Sequence, residues 1–448
     1  MSAQHAGGEA DGDTTATQVV RLALPALGVL AAEPLYLLVD TAVVGHLGAV
    51  PLGALAVGAI VLAQVSTQLT FLSYGTTARA ARLHGAGRRA DAVTEGAQAT
   101  WLALAVGVVI VLAVEAFAEP ITRVLSGGGA VGEGAEQWLR IAVLGAPLVL
   151  VTLAGNGWMR GVQDTVRPLR YVLVGNGASA VLCPALVHGA NMGLSGSAVA
   201  NVCAQVLAAG LFIAALRTEA RRSEHVRVRP QPSLMWMQAL LGRDLVLRSL
   251  GFQVCFLSAA AVAARFGAAS VAAHQVVLQL WNLVALVLDA LAIAAQALVG
   301  AALGAGRTGA AHRLAWRIAR WSALLGVALS MLFAAVHAVL PQVFTSDSAV
   351  LADIPKAWWF FVALMPVAGV VFALDGVLLG AGDARFLRTA TLTSAVLGFL
   401  PLIWLSLLFG WGLVGIWAGL SLFMLLRLVA VAGRVRSGSW AVAGASVT

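Results

Sequence analysis

The chain reads as an all-α integral membrane protein with twelve transmembrane helices in two pseudo-symmetric six-helix bundles. Three observations predict this. Its 448 residues are 60% hydrophobic and only 11% charged, with a mean hydropathy of +0.90, outside the range of soluble chains. Many apolar runs reach the roughly 20 residues that a helix needs to cross a hydrocarbon core of about 30 Å, and none shows the period-two alternation of a barrel. A set of motifs also recurs at one fixed spacing.

The elements follow in order. Residues 1–17 are Gly, Ala, Thr and acids without the basic start and short apolar core of a signal peptide, so a disordered N-terminal tail is expected. Twelve apolar segments centre on 18–45, 52–76, 96–118, 137–156, 168–189, 193–216, 243–265, 271–298, 313–339, 356–379, 389–409 and 412–433. The stretch 217–242 is the longest polar one, rich in Arg and containing Pro230 and Pro232, and it reads as a basic cytoplasmic linker. The predicted order is therefore an N-terminal lobe over 18–216, the linker, a C-terminal lobe over 243–433 and a C-terminal tail over 434–448.

The formal net charge of +8 is explained by topology. Basic residues crowd the termini and the even loops: Arg21, Arg79 to Arg89, Arg160 to Arg170, the linker arginines with Arg243 and Arg248, Arg307 to Arg320, Arg385 and Arg388, and Arg427 to Arg436. The odd loops hold only Arg123, Arg140, Arg265 and Lys356. By the positive-inside rule the crowded side faces the cytoplasm, with both termini. This placement argues against a nucleic-acid footprint. The Ala-, Gly- and Arg-rich usage suggests a GC-rich bacterial source, and the bacterial plasma membrane is the expected location.

The repeat is read from four motif pairs. LGAVPLGALAVG at 47–58 pairs with FGAASVAAHQVV at 266–277, and ARLHGAGRRADA at 81–92 with GAALGAGRTGAA at 300–311. GWMRGVQDT at 157–165 pairs with GVLLGAGDA at 376–384, and MGLSG at 192–196 with WGLVG at 411–415. Each pair is 219 residues apart. Six spans precede each repeat boundary, so both halves enter the membrane in the same orientation, and an axis along the membrane normal is expected to relate them.

One stretch breaks the symmetry. PALGVLAAEPLYLLVD at 25–40 carries two acids and two prolines inside an apolar segment. At 100° per residue, Glu33, Tyr36 and Asp40 fall on one stripe of a helix. An ionised Asp near a bilayer centre costs about 2.5 to 3.5 kcal/mol on insertion scales, so it normally faces protein or water. A carboxyl withdrawn from water favours its neutral form, which suits proton exchange near neutral pH. Pro34 cannot donate to the Leu30 carbonyl, so a bend is expected beside the acids. Asp40 plus the repeat spacing falls on Ala259, so the second half lacks the acid.

At these residues the chain resembles the multidrug and toxic compound extrusion (MATE) antiporters. The resemblance rests on LVDTAVVGHLG at 38–48, on the paired G-x-x-x-G-x-x-D motifs, and on the order of both halves over 18–433. LDALAIAAQALVGAALGAG at 288–306 and FALDGVLLGAGD at 372–383 resemble its DinF-like branch. The resemblance implies a pump that exchanges a small organic substrate for inward H⁺ or Na⁺ as two lobes rock. It implies a coupling acid at Asp40 with Glu33 as a second, a bending proline at Pro25 beside Pro34, and polar support from Tyr36, Asn156 and Asn176. An acid that the family places one turn beyond the Asn176 position is Ala180 here, which weakens a Na⁺ cage and favours protons.

In the second half, Asp289 and Asp375 are candidates for coupling or substrate contact, weighed against pairing with an arginine or a helix end. Asp164 and Asp383 read as loop caps. Trp158, Trp281, Trp358, Trp359 and Trp404 are read either as pocket lining or as interface anchors. Cys183, Cys203 and Cys255 read as small buried hydrophobes, and the histidines lack ligand spacing, so neither a metal nor a cofactor is expected. No nucleotide motif or catalytic set appears, so a transporter is expected rather than an enzyme, working as a monomer in the bilayer. Two other readings were weighed. A lipid-linked precursor flippase would call for arginines inside the bundle, and an integral membrane enzyme would call for a nucleophile or a metal.

Overall fold

The computed structural model describes residues 16–445, apart from the side chains of Val65 and Thr67. The tail expected over 1–17 therefore lies, but for its last two residues, outside the described residues. Among the described residues every regular element is helical. The first half runs α1 (Ala16–Gly45), α2 (Ala49–Leu69), α3 (Phe71–Gly85), α4 (Arg89–Ser126), α5 (Gly129–Ala142), α6 (Ala146–Gly161), α7 (Val166–Pro184) and α8 (Leu194–Arg222). The second half runs α9 (Pro232–Arg265), α10 (Ala268–Gly304), α11 (Thr308–Ala335), the short α12 (Leu340–Phe344), α13 (Ser348–Gly380), α14 (Ala384–Ser394), α15 (Leu400–Phe409) and α16 (Gly412–Ser437). A tight turn at Val143–Gly145 joins α5 to α6, and a wide π turn at Ala395–Phe399 joins α14 to α15. Eleven segments are long and apolar enough to cross a membrane; the second expected span appears as the shorter apolar helix Ala49–Gln64.

Among the described residues the chain forms two compact units, 24–242 and 243–445, the latter also taking residues 16–23. The backbone of each repeats that of the other. Left-handed φ values recur in pairs at the motif spacing: Gly48 at 112° and Gly267 at 108°, Gly87 at 74° and Gly306 at 75°, Gly193 at 57° and Gly412 at 60°. Gln163 at 62° pairs with Gly382 at 78°, and Asn191 at 53° with Gly410 at 68°. The turn closures repeat too: Asp164 N bonds Met159 O at 2.9 Å, and Asp383 N bonds Leu378 O at 2.9 Å. One feature departs from the repeat. The π turn Ala185–Gly189 follows α7 directly, whereas its counterpart Ala395–Phe399 comes earlier in its own segment.

The G-x-x-x-G motifs are packing devices. A Cβ on Gly157 would land on the backbone carbonyl of Ser73, with Ser73 Cα at 2.9 Å; a Cβ on Gly376 would land on the Ala292 carbonyl, with Ala292 Cα at 2.7 Å. Gly161 and Gly380 sit one turn on, against the carbonyls of Thr77 and Gln296. Small residues thus let α6 approach α3, and α13 approach α10, backbone to backbone. Trp158 and Trp358 are buried in helix packing and Trp281 nearly so, while Trp359 and Trp404 are exposed. The core of the second unit is one continuous cluster through Trp281, Trp358, Phe361, Phe399, Trp417 and Phe423.

Four expectations need correction. The linker over 217–242 is mostly helix: α8 runs to Arg222 and α9 starts at Pro232. The piece between them is strapped to α4. Gln98 Nε2 donates to the carbonyls of Arg227 at 3.1 Å and Arg229 at 2.9 Å, Gln98 Oε1 accepts from Gln231 N at 2.7 Å, and Trp101 Nε1 donates to Val228 O at 2.8 Å. With Thr94 Oγ1 accepting from Arg227 N at 3.1 Å, three polar side chains on α4 satisfy a backbone that has no partner of its own. The tail over 434–448 begins as the end of α16, and Trp440 beyond it is 2% exposed, donating to Val435 O at 3.0 Å and stacking on His312. Finally, Arg248 and Arg427 are not rim residues. Both lie within spanning helices, and Arg427 is 2% exposed. Of the two expected loop caps, Asp164 accepts Arg167 N at 3.0 Å, but Asp383 makes no such bond and holds Arg434 Nε at 2.7 Å.

Candidate functional site

In the first unit α1 is laid along α7. Leu169 packs on Gly28, Asn176 Nδ2 donates to Ala32 O at 2.9 Å, Cys183 Sγ donates to Asp40 Oδ1 at 3.2 Å, and His188 Nε2 meets Val43 O at 3.3 Å. Residue numbers rise together along both helices, so the two run parallel, as the first and fifth spans of an alternating chain must.

Asp40 is 2% exposed and faces the inside of this unit. Besides Cys183, the Ser197 hydroxyl from α8 stands beside its carboxylate. Ser197 in turn accepts Trp138 Nε1 at 3.2 Å. Its donor is a thiol and its other polar neighbour an alcohol; among the described residues no arginine or lysine pairs with this acid. Neutral donors can hold a carboxylate and can equally accept a bond from a carboxylic acid, so this pocket tolerates both protonation states. The π turn at Ala185–Gly189 begins two residues after Cys183, in the kind of local irregularity that often accompanies functional sites.

The expected stripe is only partly realised. Tyr36 is half-buried on the Asp40 side; its Oη stands near Ser179 and Asn201 without hydrogen-bonding geometry to either. Glu33 is exposed on α1. Seven residues of helix separate it axially from Asp40 by about 10 Å, so the two do not share a proton directly. Asn176 secures the α1 backbone at Ala32 and not the acid. Asn156 is buried on α6 with Oδ1 unpaired, and no contact brings it to Asp40. Pro25 and Pro34 both lie inside the unbroken α1. Sequence reasoning missed Cys183 and Ser197. Ser197 directly follows the MGLSG motif, the one signal that could have found it.

In the second unit Asp289 is half-buried on α10. Asp375 is buried and held by Arg248 and Arg427, the arginine pairing weighed against a coupling role. Among the described residues no group of His, Cys, Asp or Glu has metal-site geometry.

The MatE family model matches this chain twice, over residues 25–185 and 245–404, once in each half of the repeat. The chain is 33% identical over 435 residues to DNA damage-inducible protein F of Escherichia coli (strain K12), covering 94% of this chain and 92% of that protein. It is 32% identical over 440 residues to Protein DETOXIFICATION 44, chloroplastic, of Arabidopsis thaliana, covering 94% and 83%. Among solved structures, the fold matches a mutant of the Vibrio cholerae MATE transporter VcmN with a TM-score of 0.87 at 18% identity, covering 96% of this chain and 99% of that one. It also matches a MATE protein crystallised in a bent conformation, with a TM-score of 0.86 at 20% identity, covering 95% and 94%. A twice-matching family model on a duplicated twelve-span helical chain, with full-length relatives above 30% identity, leaves one conclusion: the chain belongs to the MatE family and is a MATE multidrug and toxin efflux transporter, not an enzyme.

Proposed function

We propose that the chain is a secondary-active antiporter that exports amphiphilic or cationic organic compounds in exchange for protons by alternating access. On this reading it sits in the inner membrane of a bacterium with both termini in the cytoplasm. The observation that carries the proposal is the setting of Asp40: buried, on a helix with two internal prolines, and met only by neutral polar groups. In the outward state Asp40 takes up a proton. Its charge no longer attracts a cationic substrate, and α1 bends at its prolines and narrows the lobe. Substrate leaves, and the proton is released in the inward state. Substrate and proton drive the cycle only by binding the two states differently. Beside its own carboxylate Asp40 has one nearby hydroxyl oxygen and a sulfur, too few oxygen ligands to favour Na⁺, which supports H⁺.

The test is dye efflux from proteoliposomes with proton and sodium gradients imposed separately. Wild type is expected to answer to the proton gradient alone, with transport by Asp40→Asn at least about tenfold slower, a barrier rise of about 1.4 kcal/mol. Equal proton-driven transport by both would remove Asp40 from the mechanism. The flippase reading keeps one observation in its favour, because Arg248 and Arg427 do lie inside the second unit. Both are engaged with Asp375, so they form a local cluster and not the broad basic lining that lipid-linked phosphates call for.

A further inference from the structure

Three charged side chains meet inside the second unit at a place where the first has none. Arg248 on α9 donates Nη2 to Asp375 Oδ2 at 2.5 Å, and Arg427 on α16 donates Nη2 to the same oxygen. Asp375 is 6% exposed, and the Arg248 side chain keeps 14% of its surface open. Both guanidinium groups lie over the Phe252 ring, at 5.6 Å and 4.9 Å, and Arg427 also lies over Phe423 at 5.5 Å. At the repeat spacing the equivalent residues are Val29, Asn156 and Ala208, so the cluster is no relic of the duplication.

Its charges do not balance. Two guanidinium groups share one carboxylate, and among the described residues no second acid reaches either arginine. The bonding does not balance either: Asp375 Oδ1 and Arg248 Nε are buried without a partner. A buried ion pair holds together when its remaining donors and acceptors are also satisfied. A surplus cation among spanning helices is expensive, so such residues face a solute pathway or a compensating charge. The guanidinium fork suits one partner class above others, the flat or tetrahedral oxyanion. Two phenylalanine rings beside it supply an apolar wall.

We infer that Arg248 and Arg427, set against Asp375, bind the anionic group of an amphiphilic solute: a carboxylate, sulfonate or phosphate. The open edge of Arg248 admits the ligand, Arg427 supplies the fixed charge behind it, and Asp375 keeps the two guanidinium groups from repelling each other. The inference does not depend on Asp40 carrying protons, because it concerns equilibrium binding with no gradient.

The experiment uses the full chain in nanodiscs and isothermal titration with two probes of equal chain length, dodecyl phosphate and dodecyltrimethylammonium. In phosphatidylcholine discs the phosphate is expected to bind saturably, and the cation is expected not to compete with it. Arg248→Gln should weaken phosphate binding about tenfold or more, the loss of one charge-assisted bond, and Arg248→Lys should recover part of it. Asp375→Asn should tighten binding, because it removes the competing carboxylate. A purely structural lock predicts the opposite for that variant: weaker binding together with a less stable protein. Unchanged affinity in Arg248→Gln, or weakened affinity in Asp375→Asn, overturns the assignment. If Asp375→Asn does not elute as a monodisperse protein, the Gln and Lys variants of Arg248 decide alone. A second set of discs containing phosphatidylglycerol separates the sources: competition there identifies a lipid headgroup as the occupant, and undiminished binding identifies a free solute.

Discussion

Replacing Gly157 with alanine tests the backbone-to-backbone contact on which the first unit is built. The added methyl would fall on the Ser73 carbonyl, with Ser73 Cα at 2.9 Å and its carbonyl carbon at 3.0 Å. These are backbone atoms of a packed helix, so no side chain can swing aside, and the two helices must separate. Overpacking of this kind costs about 1 to 3 kcal/mol, roughly a 5- to 150-fold loss in the ratio of folded to unfolded protein. For units of about this size each kcal/mol lowers the melting temperature by about 2 to 4 °C, so a drop of roughly 2 to 12 °C is expected. Gly376→Ala should behave alike, because its methyl meets the Ala292 carbonyl in the matching place. Gly177→Ala is the control, on α7 with nothing within 4 Å. The assay heats the detergent-purified full chain and follows the monodisperse peak by fluorescence-detected size exclusion. If Gly157→Ala melts with the wild type, or Gly177→Ala melts below it, the motif does not act through close packing.

Other outcomes follow from single contacts. Gln98→Ala removes three bonds to the strap between α8 and α9, so trypsin should cut after Arg227 about tenfold faster on a timed gel, since each bond contributes about 0.5 to 1.5 kcal/mol. Trp440→Ala should destabilise the second unit by about 3 to 5 kcal/mol, read as an earlier melt, because the indole is buried against Val435 and His312. Cys183→Ala combined with Ser197→Ala removes the thiol that donates to Asp40 and the hydroxyl beside it, and should abolish proton-driven efflux in proteoliposomes, whereas Cys183→Ser should retain it.

The fold was legible because bilayer physics is written along the chain. Spans must be apolar and helical, loops sort by charge, and a duplicated chain repeats its turns, which is why the left-handed residues fall where the motif spacing puts them. The Asp40 site was legible only at its centre. An acid among Leu and Val is conspicuous, but its polar neighbours come from α7 and α8, and a cysteine in an apolar run looks the same whether or not it meets a carboxylate. The stripe argument placed Glu33 with Asp40 from helical phase alone, which carries no information about the two turns of axial distance between them. Arg248 and Arg427 were within reach, since both fall inside predicted spans. Counting them with the loop arginines treated depth as though hydropathy could not resolve it. The linker was misjudged because Arg and Pro were read as loop formers, while Pro232 serves as the opening residue of α9, where its missing N–H costs nothing.

The two units place opposite charges on equivalent backbones. In the first, Asp40 is met by Ser197; at the repeat spacing those positions in the second are Ala259 and Ile416. In the second, Arg248, Asp375 and Arg427 cluster; in the first those positions are Val29, Asn156 and Ala208. Each cluster is replaced as a set, and the reason is energetic. A lone guanidinium or a carboxylate without donors is far more costly among spanning helices than a complete group or none at all. The same division governs flexibility. Pro25 and Pro34 interrupt the hydrogen bonds of α1 beside its acids, while their counterparts in α9 are Asp244 and Gln253, and Asp244 is tied to Arg388 at 2.6 Å. The unit with the neutral-bonded acid therefore also holds the bendable helix, and the unit with the ion cluster holds an uninterrupted one pinned near its start. A charge that changes state gains most from a helix that can answer it. A charge that is permanent, as a guanidinium is, works best on a helix that stays in place.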